Sequence, residues 1–311
     1  MARIARPCGT AAVEWPTVLL IAGVYAAFGL VTWHADALPW WLVLPVGAYL
    51  VGLHGSLQHE AVHGHPTRSR ALNEALVFPS LALWVPYRRY RRLHLMHHRD
   101  AFITDPIEDP ESWYVLPETW HALARPLRWL MIANNTLAGR LLLGPAIAAC
   151  RFVASDLHAM ATGRNREIVA AWALHGASLA VTLVWVVGVC GMDIGRYVAL
   201  FAYPGTALTL LRSFAEHRAH RLVDARSAVI ETNPAMALLY LNNNLHAAHH
   251  ANPQAPWYRL PAYYRRFRED LVARNERYLI AGYGSLVRHY LLRPKEVVPH
   301  PFRTSGGDGG V

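Results

Sequence analysis

Nine histidines fall into clusters whose spacing suits metal binding: one pair spaced i, i+4, two trios spaced i, i+3, i+4, and one that stands alone. In sequence order they are His59, His63, His94, His97, His98, His217, His246, His249 and His250. In a helix, residues at these spacings lie on one face, so each cluster would present its ring nitrogens to one side. His217 is the isolated member, and His220 could take its place.

The number of imidazoles points to more than one metal ion. A zinc site takes about four ligands, whereas two metal ions with four or five ligands each would use all of them. Imidazole binds iron, zinc, copper and nickel alike, so the ligand type does not identify the metal. The number of clustered histidines and their pairing favour a dinuclear metal centre with room for an exogenous ligand. Six further histidines are interpreted as structural or surface residues: His54, His65, His121, His158, His175 and His289.

The first pair also matches the zinc-protease pattern H-E-x-x-H, over residues 59–63. In a membrane protease Glu60 would be the general base, and a third ligand, often an Asp of a later helix, would be needed. The only acid in the later apolar segments is Asp193, which the topology below puts on the opposite side. A metal transporter is a second alternative, but it would need His and Asp near the bilayer midplane, where His175 is the chief candidate.

The composition indicates a membrane protein. Of the 311 residues, 16% are charged and 53% are hydrophobic, against about 25% charged in soluble domains. The net charge of +9 comes almost wholly from arginine, since Lys295 is the only lysine. This basic excess lies beside apolar runs, which favours contact with anionic membrane lipids over nucleic acid. Cys8, Cys150 and Cys190 are too dispersed for a thiolate metal site.

Charge-free runs predict an all-α, polytopic fold with four transmembrane helices in two hairpins, because a span needs ~20 apolar residues. The predicted spans cover residues 15–35, 38–58, 168–191 and 196–214, and two shorter apolar segments at 71–86 and 137–153 are predicted to be interfacial. A helical cap on the cytoplasmic side would hold the histidines. Residues 1–290 would form a single domain, followed by a flexible tail at 291–311 that metal binding does not require.

The placement of arginine predicts the orientation. Arginines precede the first span in "MARIARP" and follow the second in "RRYRR" (88–92) and the fourth at Arg218, Arg221 and Arg226. By the positive-inside rule, both termini and all nine clustered histidines face the cytoplasm.

Polar residues near the clusters are candidates for supporting the metal ligands. A metal-bound histidine usually donates its other ring N–H to a carboxylate or carbonyl. Asp100 and Asp105 follow the second cluster, Glu216 precedes His217, and Asn242 lies four residues before His246. These four side chains are therefore candidates for supporting the centre; helix capping or a surface position is the alternative for each, and Asp105 in "TDP" could equally be a turn residue.

The clusters "HEAVHGH", "HLMHH" and "HAAHH", together with the four-span pattern, resemble the integral-membrane fatty acid desaturase superfamily over roughly residues 15–265. "LRSFAEHR" and "NNNLHAAHHANPQAPWYRLP" are similar to segments of its bacterial members. The resemblance implies two iron ions held by the nine histidines, O₂ as co-substrate, and a bacterial inner membrane location. It also implies a separate electron donor: a ferredoxin, a rubredoxin or a cytochrome b5-like protein with its reductase.

The function expected from this resemblance is desaturation of a fatty acid or lipid acyl chain. Both later clusters read H-x-x-H-H, which favours desaturation, and hydroxylation or ketolation of a lipid, alkane or carotenoid is the alternative. The substrate would be a long apolar chain, because the site lies where spanning helices meet the cytoplasm. It would enter from the bilayer past aromatic residues such as Trp84, Tyr87 or Trp257.

Overall fold

The structure is a computed structural model that describes residues 13–163 and 166–303. Its first two helices form a hairpin of apolar segments, α1 (Trp15–Trp33) and α2 (Trp40–Val62). Pro16 lies in the first turn of α1 and Pro39 directly precedes α2, where a missing backbone N–H costs the helix nothing. Both helices are long and apolar enough to cross a membrane.

A series of short helices follows the first hairpin. They are α3 (Arg70–Leu76), α4 (Tyr87–His97), a 3-10 turn (Asp100–Phe102), α5 (Pro117–Ala122), α6 (Arg125–Asn134), α7 (Leu137–Leu142) and α8 (Gly144–Ala161). The segment predicted to be interfacial at 71–86 contains α3 and irregular chain, and the one at 137–153 falls on α7 and α8. Neither is among the candidate spans of the described residues.

The second hairpin contains local π-helical stretches. α9 (Arg166–Leu183) continues as a π-helix to Val189, and the return helix consists of α10 (Ile194–Tyr197), a π-helix (Val198–Ala202) and α11 (Tyr203–Glu216). The stretches Arg166–Val189 and Ile194–Glu216 complete a set of four candidate spans. The mostly helical architecture and the four spans confirm the predicted fold class.

The chain after α11 again consists of short elements. It contains the only sheet found among the described residues. Its elements are a 3-10 turn (Val223–Arg226), β1 (Val229–Ile230), α12 (Pro234–Leu239), α13 (His246–Ala251), α14 (Leu260–Arg274), β2 (Leu279–Ile280) and α15 (Gly282–Tyr290). The two strands are two residues long and pair in parallel. We call residues 63–163 and 217–303 the cap.

The C-terminal segment departs from the sequence prediction. A flexible tail was expected from residue 291, but residues 291–303, which we call the C-terminal strap, are bonded along their length to the rest of the cap. The N–H of Ala138 donates to the carbonyl of Leu291 (2.9 Å), and that of Val115 donates to Val298 (3.1 Å). Residues 304–311, and residues 1–12 with the predicted N-terminal arginines, lie outside the described residues.

Candidate metal centre

The nine clustered histidines lie close together in space, where α2 and α4 end and α13 packs beside them. His59 lies in the last turn of α2 and His63 follows as its C-cap residue. The second cluster occupies the last turn and C-cap position of α4, and the third lies along α13. His217 directly follows α11 in an extended conformation, with φ −128° and ψ 151°. The ends of four separate elements therefore build one site.

The imidazoles form two groups, and within each group the potential ligand atoms lie within 4.8 Å of one another. Group A consists of His59, His63, His94, His98 and His249. Group B consists of His97, His217, His246 and His250. Each H-x-x-H-H cluster is shared: its first and last histidines join one group, and its middle histidine joins the other. The helical spacing thus links both groups through the same two helices.

Three rings of group B, those of His217, His246 and His250, converge without a proton between their inward nitrogens. His246 Nδ1 faces Asn243 Oδ1 (3.1 Å), His250 Nδ1 faces Asp100 Oδ1 (3.0 Å), and His217 Nδ1 faces the Arg226 carbonyl (3.3 Å). Each partner is an acceptor, so the ring proton lies on Nδ1 and the Nε2 lone pair points inward. Yet His246 Nε2 lies 2.9 Å from His217 Nε2 and 3.0 Å from His250 Nε2.

Such a cluster of inward lone pairs is a donor set that suits a cation. Burial, followed by the nearby histidines, lowers the pKa of His217 and His246, and burial also lowers the pKa of His250. These rings are therefore neutral, which is the form that binds metals. Ligand nitrogens at the usual metal–nitrogen distance of about 2.1 Å lie roughly 3 Å apart in an octahedral set, so the donor atoms fit a metal ion.

Group A has the same character. His94 Nε2 lies 3.1 Å from His63 Nε2 and 3.0 Å from His98 Nε2, and His98 Nε2 lies 3.2 Å from His249 Nε2. The ring of His59 completes the group, with its centroid 4.6 to 4.8 Å from those of its neighbours His63, His94 and His249. Two adjacent sets of imidazole donors therefore lie within one buried site.

Carboxylates orient the histidines from outside. His97 Nδ1 donates to Asp109 (2.9 Å), and His94 Nδ1 donates to Glu111 (2.8 Å). Burial opposes the charged form of His97, but Glu111 and Asp109 outweigh it and raise its pKa to about 9. Neither acid was predicted from the sequence to support the site, although three acidic residues in "IEDPE" (107–111) stand out in a basic region.

Two of the four predicted supporting residues contact the clusters. Asp100 accepts from His250, as described above, and Glu216 Oε1 lies 3.2 Å from His246 Nδ1 and 2.9 Å from the guanidinium of Arg212. Asp105 does not: its carboxylate bonds Arg303 and the backbone N–H groups of Ile107 and Glu108.

The prediction for Asn242 is also wrong, and the adjacent Asn243 takes the position. Asn242 was placed by helical spacing from His246, but α13 begins only at His246, and Leu241 and Asn242 adopt left-handed conformations (φ 49° and 59°). The Asn242 amide therefore turns away and donates to the Trp257 carbonyl (2.9 Å). Asn243 is buried and accepts from His246.

Glu60 does not take part in the site. Its Oε2 accepts the backbone N–H of Trp257 at 3.1 Å, so it belongs to a contact between the end of α2 and the loop after α13. A protease would need this carboxylate beside a metal-bound water. The arrangement of Glu60 therefore gives no support to the protease interpretation of residues 59–63.

The remaining histidines lie outside both groups. His220 Nε2 lies 3.2 Å from Glu276, so the structure places His217 and not His220 in group B. His65 bonds Glu14 (2.8 Å), His54 bonds Tyr25 (3.1 Å), and His175 bonds the Leu83 carbonyl (2.9 Å). The last three are exposed: His121, His158 and His289.

Comparison with protein families identifies the type of chain to which the two histidine groups belong. A scan against protein-family models matches residues 35–281 to the family described as fatty acid desaturase. The matched stretch contains all nine clustered histidines and three of the four candidate spans. A search of curated proteins finds no match.

Proposed function

Since the chain belongs to the fatty acid desaturase family, we propose that it is an O₂-dependent diiron enzyme that introduces a double bond into a fatty acid or lipid acyl chain. The family match confirms the resemblance drawn from the histidine clusters. One observation carries the proposal beyond the family: neutral imidazoles in two adjacent groups aim unprotonated nitrogens at one another from 2.9 to 3.2 Å.

The histidines would hold the irons, one in group A and one in group B. When bound, the two irons supply the activation of O₂ for attack on an unactivated C–H bond. The protein's own contribution is orientation. Asp109, Glu111 and Asp100 each hold an Nδ1–H, which fixes the ring and directs Nε2 inward, and such outer partners typically tune affinity 10- to 100-fold.

The partners follow from the membrane setting. The substrate would be a long apolar chain that reaches the centre from the bilayer. The electrons would come from a separate ferredoxin, rubredoxin or cytochrome b5-like protein that docks on the arginine-rich cap. The aromatic residues expected along the entry route make helix contacts: Trp84 donates to Thr206 (2.9 Å) and Trp257 to Thr17 (3.1 Å).

The first test is the metal content of detergent-purified protein, with a Mössbauer spectrum of material grown on iron-57. The proposal requires two irons per chain and a coupled diiron signal. Lipid profiling of cells that express the protein then identifies the reaction, because desaturation removes two hydrogens whereas hydroxylation adds one oxygen. One zinc and no iron under any growth condition would contradict the proposal.

A further inference from the structure

Lys295 joins the C-terminal strap to the backbone of a candidate metal ligand. Its ammonium group donates to the carbonyl of Phe214 (2.8 Å) and to that of His217 (2.5 Å). Carbonyls at a helix C-terminus have no intrahelical partner, and a cation there also complements the helix dipole. Lys295, the chain's only lysine, therefore fixes the end of α11 at His217, a member of group B.

His217 depends on such support more than the other eight histidines do. Those eight lie on helices α2, α4 and α13 or at their C-caps, so the helix sets their direction. His217 follows α11 in an extended conformation. Its backbone is fixed on one side by a bridge to Ser227 and by the bond from Arg218 N–H to Arg226 (3.0 Å). Lys295 supplies a further fixed point.

The strap holds Lys295 firmly enough to act as that fixed point. The N–H of Lys295 donates to the carbonyl of Asn135 (2.9 Å), and the Asn135 amide donates back to the carbonyl of Glu296 (2.5 Å). On the far side of Lys295, the N–H of Val115 donates to the carbonyl of Val298, and the N–H of His300 donates to the carbonyl of Val115. The ammonium group is thus carried by a segment bonded to the cap on both sides.

We propose that Lys295 is a positioning residue for His217, and that the strap, which lies beyond the family-matched residues 35–281, completes group B. The inference rests on the proposed function, since it assumes that group B binds a metal. It predicts that losing the ammonium group weakens metal binding in group B while group A keeps its metal.

The test compares Lys295→Met, of similar length without the charge, with Lys295→Arg and with the control Arg293→Met in the same segment. Iron per chain is measured after dialysis against a series of chelator concentrations, and circular dichroism checks that each variant keeps its helix content. Lys295→Met should lose one of two irons at a chelator concentration at least about tenfold lower than the parent. Lys295→Arg should recover most of the difference, and Arg293→Met should match the parent.

A double-mutant comparison separates positioning from a general structural role. If Lys295 acts through His217, Lys295→Met should add nothing to the iron loss of His217→Ala, whereas independent structural damage would add. Two irons of unchanged affinity in Lys295→Met would overturn the inference and leave the proposed function intact. Loss of both irons together would also overturn it. A parent protein without iron would refute the proposed function itself.

Discussion

At the scale of single residues, an acceptor at Nδ1 helps to orient five of the nine imidazoles, those of His94, His97, His217, His246 and His250. In group B this acceptor is a carboxylate, an amide oxygen or a backbone carbonyl, so every kind of partner leaves Nε2 free. An unprotonated nitrogen is what a metal ion needs. The chemistry of the site therefore depends as much on Asp109, Glu111 and Asn243 as on the histidines.

Removal of a single ring should abolish iron binding in its group. We expect His249→Ala to lose at least one iron and all measurable activity, since His249 is buried in group A. His289→Ala, which changes an exposed histidine, should keep two irons and near-parental activity. Iron analysis and a lipid assay check both variants, and retention of both irons in His249→Ala would contradict the nine-ligand set.

The two neighbouring asparagines should differ in effect. Asn243→Ala removes the nearer of two acceptors at His246 Nδ1–H, the other being Glu216 Oε1 at 3.2 Å, and we expect iron affinity to fall by about tenfold. Asn242→Gly removes the other amide but keeps the left-handed conformation, which glycine adopts freely, so its iron affinity should stay at the parental value. Chelator competition measures both. Equal effects would mean that the loop, and not the Asn243 side chain, supports the centre.

At the scale of elements, close packing of α2 on the fourth span fixes where the histidines meet. Gly205 of α11 faces Val51 so closely that an added Cβ would lie 2.5 Å from the Val51 Cβ. Small residues allow such approach between membrane helices. Because α2 carries His59 and α11 leads to His217, their contact helps to position group A beside group B.

A methyl group at this contact should destabilise the protein. We expect Gly205→Ala to cost about 1–3 kcal/mol, the usual range for overpacking a filled core, and to lower the thermal unfolding midpoint in detergent. Gly176→Ala is the matched control, since nothing lies within 4 Å of a Cβ at this position of α9. An unchanged midpoint for Gly205→Ala would show that the two helices move apart without cost.

Sequence patterns predicted the elements whose periodicity is regular and missed those whose geometry is set by distant contacts. The four spans and the three clusters follow from local spacing. The role of Asp109 and Glu111 depends on a loop that folds back onto α4, and the position of Asn243 depends on the left-handed turn before α13. The strap was missed because its sequence contains three prolines and has no periodicity, although backbone bonds to Asn135 and Val115 order it.

At the scale of the whole molecule, the buried imidazoles make the metal-free protein sensitive to acid. Eight histidines of the cap have a lowered pKa: His63, His94, His98, His217, His246, His249, His250 and His300. Once the pH falls below the unfolded value of about 6.5, the unfolded chain binds these protons and the folded protein does not, so stability falls with pH. Three groups of the cap act in the opposite direction but are fewer: His97 and Glu296, with pKa values raised to about 9 and about 8, and His65, whose pKa its bond to Glu14 raises against burial.

We therefore expect the unfolding midpoint of chelator-treated protein to drop by several degrees between pH 7.5 and pH 5.5. His98→Gln should reduce this dependence, because it removes one of the neutral rings, whereas His289→Ala should leave it unchanged. A midpoint that stays constant over this range would mean that the clustered rings take up protons as readily in the folded protein as in the unfolded chain.

The orientation in the membrane also concerns the whole chain, and the distribution of arginine predicts it. The turn between the third and fourth spans contains Cys190, and Arg196 lies in the first turn of the fourth span, while the cap contains most of the arginines. The positive-inside rule then puts Cys190 outside and the cap in the cytoplasm.

We expect a membrane-impermeant maleimide to label a variant with Cys190 as its only cysteine in intact cells. His289→Cys in a cysteine-free background should be labelled only in inside-out vesicles, since His289 is an exposed residue of α15. The reverse pattern would put both histidine groups on the outer face, out of reach of a cytoplasmic electron donor.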